Sequence, residues 1–111
     1  MRTDTAKLKD ILEAIQFINS NIPKDNSLYN LSELELIGIV HMLQVIGEAA
    51  RSLSTDLKEK NPEVEWFKVI GMRNIIVHEY FRVDYSVIEN VIKQNLPVLQ
   101  QQIEAILNVK D

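Results

Sequence analysis

Apolar side chains recur at three- and four-residue intervals through most of the chain, the spacing that places them on one face of an α-helix. The first series predicts a helix from about Asp4 to Ser20, with these apolar positions: Leu8, Ile11, Leu12, Ile15 and Ile18. The polar stretch 21–30 follows it and is typical of a loop, because it contains the turn-forming residues Pro23, Asp25, Asn26 and Ser27.

A long second helix is predicted to begin after Ser32, since Ser32 and Glu35 have the spacing of a capping box. We expect the pair Asn61-Pro62 to stop that helix or to begin the next one. The buried stripe is predicted to consist of Leu34, Ile37, Val40, Leu43 (or Val45), Ile46, Ala49 and Leu53. Gly47 costs about 1 kcal/mol of helix propensity relative to alanine, so we expect a neighbouring backbone to approach the helix there.

A third main helix is indicated by Trp66, Val69, Ile70, Val77, Tyr80 and Phe81. Asp84 suits the N-cap of a last helix, in which Pro97 is expected to cause a kink or a split. No alternating, strand-like pattern is present, and the chain has only three glycines. These patterns predict an all-α fold, an antiparallel bundle of four to five helices in a single domain spanning residues 1–111.

Composition narrows the class of protein further. The chain has no cysteine, which excludes disulfides and thiolate metal sites. It has no apolar N-terminal run, so we expect a cytoplasmic protein without a membrane span. The net charge of −4 argues against a broad nucleic-acid-binding surface. Residues 51–82, however, hold six basic and five acidic side chains, so the least acidic third of the chain could still carry a local anion site.

That third contains the most unusual stretch, in which polar residues are interleaved with aliphatics between Gly71 and Arg82. Asn74 and His78 would share one face of a helix, whereas Arg73 and His78 would lie roughly 140° apart around its axis. This angle is unfavourable for joint action on one straight helix. It becomes workable if a helix end or a second copy of the helix completes the site.

The spacing of residues in the sequence does not support metal binding, serine-based catalysis or a nucleotide-binding phosphate loop. The histidines His41 and His78 form no paired metal-ligand motif, no serine lies on a nucleophile elbow, and no glycine-rich phosphate loop is present. Arginine with histidine suits phosphodiester chemistry without a metal, because histidine titrates near neutrality and arginine binds phosphate oxygens. RNA supplies its own nucleophile, the 2′-hydroxyl. Asn74 could orient the histidine or the phosphate.

Structural roles remain open for the same residues. His78 could be a packing residue, and Arg73 could pair with Glu48 or Glu79. Tyr80 could stack on a base, donate a hydrogen bond, or belong to the core together with Phe81.

The run from Arg73 to Tyr80 resembles the motif of HepT-like proteins in the HEPN superfamily: an arginine, four residues, a histidine, any residue and a tyrosine. The resemblance extends in order through most of the chain, in the blocks 10–15, 46–50 with 53–54, 61–64 with Trp66, 70–72, Phe81 with 83–84, and 96–97. Many relatives have tryptophan where this chain has Glu89 and arginine where it has His41. The second difference would remove a basic contact near the RNA path.

The resemblance implies a HEPN-like helical bundle that acts as a metal-independent RNA endonuclease, the toxin of a toxin–antitoxin pair. It implies a homodimer whose site forms where two subunits meet, with Arg73 and His78 catalytic and Asn74 supporting. It also implies that Tyr80 is AMPylated by a partner antitoxin, a minimal nucleotidyltransferase. The alternatives are a non-catalytic helical module that binds nucleotide or substrate for such a partner, and a polar cluster that merely closes a dimer interface.

Overall fold

The computed structural model describes residues 3–22, 28–74 and 85–110, and every regular element within these ranges is helical. In chain order they are α1 (Asp4–Ser20), a 3₁₀ turn (Leu28–Asn30), α2 (Glu33–Ser52), α3 (Thr55–Lys60), α4 (Trp66–Gly71), a second 3₁₀ turn (Met72–Asn74), α5 (Tyr85–Asn90), a π-helical segment (Val91–Asn95) and α6 (Leu96–Lys110). Because α5, the π segment and α6 are continuous, the described residues form five helical rods, and the prediction of an all-α bundle is confirmed.

The beginnings of α1 and α2 are set by local caps. The Ala6 N–H donates to the Thr3 hydroxyl at 3.1 Å. At α2 the predicted capping box is complete: the Glu35 N–H donates to Ser32 Oγ at 3.1 Å, and the Ser32 N–H donates to Glu35 Oε1 at 2.9 Å. Each cap satisfies amide groups that have no partner within their own helix.

The first two helices pack antiparallel. The Lys7 ammonium donates to the Ser52 carbonyl oxygen at 2.7 Å, joining the start of α1 to the end of α2. The Ser54 N–H and hydroxyl both donate to the Asp4 carboxylate, at 3.0 and 2.5 Å. The long second helix of the sequence prediction therefore ends at Ser52, and a separate helix, α3, starts after the Ser54 cap.

One apolar core joins α1, α2, α4 and the α5–α6 rod. Its fully buried large side chains are Leu8, Ile11, Ile15, Ile18, Leu28, Ile39, Leu43, Ile46, Ile88, Leu96 and Ile103. The prediction for α2 is wrong at two positions, since Leu34 is 79% exposed and Ile37 is 53% exposed. Leu36 and Ile39 face the core instead, because this end of α2 is apolar on both sides and the spacing alone selects neither.

The irregularity expected at Pro97 takes the form of the π-helical segment directly before it. The Leu96 N–H donates to the Val91 carbonyl, five residues back, and the helix continues through Pro97 into α6. Proline has no N–H for the Lys93 carbonyl and its ring crowds that group, so a wider turn accommodates it. The N-cap prediction for Asp84 falls outside the described residues.

Within the described ranges, none of the helices is both long enough and apolar enough to cross a membrane.

Candidate active site

The described part of the site lies on the second 3₁₀ turn, which directly follows α4. Trp66 and Val69 anchor α4 in the core, and the Trp66 indole N–H donates to the Asn61 carbonyl oxygen at 3.0 Å. Met72 is 3% exposed, so the first residue of the turn is held in the core and the next residue, Arg73, is placed beside α2.

This placement corrects the predicted third helix. The α-helix ends at Gly71, and Arg73 and Asn74 lie on a 3₁₀ turn rather than inside a longer α-helix. Asn74 is exposed. His78 and Tyr80 lie outside the described residues, so the predicted angle between Arg73 and His78 stays a prediction.

The turn approaches α2 at Gly47, as the sequence predicted for a close backbone contact. A Cβ atom at Gly47 would press on the Arg73 backbone nitrogen and would lie 2.9 Å from both the Arg73 Cβ and the Ile70 carbonyl oxygen. Real Cβ atoms essentially never come that close to other heavy atoms, so the site requires glycine at this position. Gly47 therefore allows the backbone that carries Arg73 to rest directly on α2.

The next residue of α2 binds the arginine side chain. Arg73 Nε lies 2.8 Å from Glu48 Oε1, an ion pair in which the arginine side chain is 34% exposed and the glutamate side chain 53% exposed. Of the two partners considered from the sequence, Glu48 is thus confirmed, and Glu79 lies outside the described residues. The second carboxylate oxygen, Glu48 Oε2, is 3.9 Å from Arg51 Nη1.

An open groove of about 430 Å³ runs along α1 and α2, and Glu48 is one of the residues that line it. Its lining includes Val45 and Ala49, and its polar lining comes from Lys7, Asp10, His41, Gln44, Glu48 and Ser52. The sequence interpretation did not place Lys7 or Asp10 here, because only the packing of α1 on α2 brings them beside His41.

Within residues 3–22, 28–74 and 85–110, no group of three or more His, Cys, Asp or Glu residues could hold a metal ion. The described part of the site offers an arginine side chain held on a partly exposed turn, an arrangement suited to binding a phosphate.

Comparison with known proteins identifies the class. The family described as "Ribonuclease HepT-like" matches residues 11–106. The chain belongs to this HepT-like ribonuclease family, and it is accordingly an enzyme of the ribonuclease class.

Three relatives cover most of the chain. "Putative RNase MJ1380" of Methanocaldococcus jannaschii is 32% identical over 91% of this chain and 94% of its own length. "Putative RNase TTE0752" of Caldanaerobacter subterraneus subsp. tengcongensis is 32% identical over 96% of each chain. "Probable ribonuclease HepT" of Thermococcus cleftensis is 31% identical over 87% of this chain and 89% of its own. No solved structure matches the chain.

Proposed function

We propose that this protein is a metal-independent RNA endonuclease in which Arg73 and His78 are the catalytic residues. The observation that carries the proposal is the guanidinium of Arg73, held by Glu48 on a partly exposed turn at the start of the motif. Arginine stabilises the charge that builds up on the phosphate as the 2′-oxygen bonds to phosphorus and the bond from phosphorus to the 5′-oxygen breaks. His78 supplies the general acid–base step, and Asn74 supports the site as a polar neighbour.

The deciding experiment is RNA cleavage by the purified chain in excess EDTA. Arg73→Ala is expected to lower kcat by about 10²–10³, and His78→Ala by about 10²–10⁴. His41→Ala is the control for replacing a histidine. The His41 side chain is exposed on α2, so this variant is expected to raise KM and to lose far less activity than the motif variants. Cleavage by either motif variant at the parental rate, or cleavage that disappears in EDTA, would contradict the proposal.

The proposal includes a homodimer in which Arg73 and His78 act across the subunit boundary. Mixing Arg73→Ala with His78→Ala chains tests this arrangement, because a mixed dimer then contains one site with both residues intact. Cleavage should return on mixing, after exchange of subunits. If both residues act within one chain, the mixture stays inactive.

The regulatory part of the proposal is a toxin–antitoxin pair in the cytoplasm, in which a minimal nucleotidyltransferase transfers AMP to Tyr80. A nucleotide two residues from His78 would block an RNA phosphate by its volume and its negative charge. Co-expression with the partner and ATP should add one or more AMP units to the intact mass, and Tyr80→Phe should abolish the addition. Inhibition without an adduct would favour occlusion by complex formation.

A chain that binds the partner but never cleaves RNA would favour the non-catalytic binding module.

A further inference from the structure

The ion pair between Arg73 and Glu48 determines which nitrogens of the guanidinium remain for binding an RNA phosphate. A guanidinium is planar, and its donors form a rigid fork. Because Nε is the atom that lies 2.8 Å from Glu48 Oε1, this contact leaves the edge formed by the two terminal nitrogens for another anion. This terminal edge can bind two phosphate oxygens at once.

We propose that Glu48 is the positioning residue of the site: it fixes the Arg73 guanidinium by its Nε so that the terminal edge faces the scissile phosphate. The inference rests on the proposed function, because it assigns Glu48 a role through Arg73. Glu48 itself touches no reacting atom.

Two features of α2 suit Glu48 to this role. Gly47 allows the Arg73 backbone to lie against the helix. The carboxylate of the next helix residue, Glu48, can therefore contact the Arg73 side chain. Glu48 also lies in the C-terminal half of a 20-residue helix whose neighbouring residues Ile46, Gly47 and Ala50 are buried. The carboxylate is therefore carried by a rigid support, and both ends of Arg73, backbone and guanidinium, are placed by adjacent residues.

The pair has little importance for folding, since more than half of the Glu48 side chain is exposed and water screens such contacts. Its effect should instead appear in catalysis. A carboxylate beside Arg73 also weakens the attraction of that arginine for phosphate. Loss of Glu48 should therefore lower kcat without raising KM, whereas loss of a phosphate-binding group would raise KM.

The test measures kcat, KM and the unfolding midpoint for Glu48→Ala and Glu48→Gln. We expect Glu48→Ala to lower kcat by up to about a hundredfold, since misplacing a catalytic group by about 1 Å can cost that much, with KM unchanged or lower. Glu48→Gln should recover part of the loss, since its amide oxygen can still accept from Nε. The control is Asp56→Asn on α3, which removes the same charge from an exposed 3.1 Å pair with Lys60 and should leave kcat unchanged.

A double-mutant cycle separates this inference from the proposed function. With Arg73 already replaced by alanine, Glu48→Ala should cause no further loss. An additional loss, or a Glu48→Ala single variant with parental or higher kcat, would overturn the positioning role while leaving the catalytic role of Arg73 intact. If Arg73→Ala itself cleaves normally, the proposed function fails, and the positioning role fails with it.

A readout that does not depend on activity is the Nε–H signal of Arg73 in a ¹⁵N-edited NMR spectrum, which is tractable because the chain has four arginines. In the parental protein this proton should exchange slowly with water, and in Glu48→Ala the protection should be lost while the backbone signals of α2 stay in place. Fast exchange in the parental protein, or a general collapse of the α2 signals in the variant, would overturn the proposal.

Discussion

The two halves of α2 differ sharply in what surrounds them. Near its N-terminus, Leu34 and Ile37 are exposed, although both fit the apolar spacing of a helix. In the C-terminal half, Gly47 is packed against the turn that carries Arg73, and Glu48 binds that arginine. At the N-terminal end of α2, exposed apolar side chains such as Leu34 add little to the packing of the fold. At the C-terminal end, the fold needs Gly47 because it has no side chain.

The largest effect is expected from comparing two leucines of this helix. Leu43 is 0% exposed and Leu34 is 79% exposed. Leu43→Ala should lower the free energy of unfolding by about 2–5 kcal/mol, and Leu34→Ala should change it by no more than about 0.5 kcal/mol. Denaturant unfolding followed by the fluorescence of Trp66, the single tryptophan, measures both.

A large loss at Leu34 would break the comparison. If that loss also grew as the protein was diluted, it would indicate that a second copy of the chain covers the exposed face, since the stability of a dimer depends on protein concentration.

Smaller changes in the free energy of unfolding, of opposite sign, are expected from replacing the two glycines of α2, Gly38 and Gly47, by alanine. Gly47→Ala should destabilise the fold by about 1–3 kcal/mol, because the added methyl forces the Arg73 backbone to move. Gly38→Ala is the matched control on the same helix: a Cβ there meets nothing within 4 Å, and alanine should stabilise the helix by about 0.5–1 kcal/mol.

The same pair of variants connects the packing to the site. Gly47→Ala should also reduce RNA cleavage in the fraction that remains folded, whereas Gly38→Ala should not. Equal stability changes at both positions would show that the turn does not rest on Gly47.

The smallest effect concerns the capping box at the start of α2. The backbone N–H of Ser32, and next its hydroxyl, lower the pKa of Glu35 from its ordinary value of 4.5. Because the pKa is lower in the folded protein, this contribution to stability is complete above pH 4.5 and is lost as the pH falls through the folded-state pKa. Glu35→Gln should therefore flatten the acid limb of the stability profile, measured by denaturant titrations between neutral pH and pH 3. An unchanged acid limb would show that the carboxylate is not coupled to folding.

Sequence reasoning succeeded where a structure depends on residues a few positions apart. The bounds of α1 and the capping box at Ser32 and Glu35 are of this kind, because a cap involves only the first turn of its own helix. It was less successful where two local signals compete. The Ser54 cap ended α2 early, and the α-helix that precedes Arg73 stopped at Gly71.

By itself, the sequence determined an all-α fold and the family motif from Arg73 to Tyr80, and it gave reason to expect a close backbone approach at Gly47. Only the tertiary structure decided which apolar face of α2 is buried, and that Arg73 binds Glu48, 25 residues away along the chain. The physical reason is that hydrogen bonds within one helical turn follow from neighbouring residues, whereas burial and ion pairs between helices depend on which surfaces the packed chain brings together.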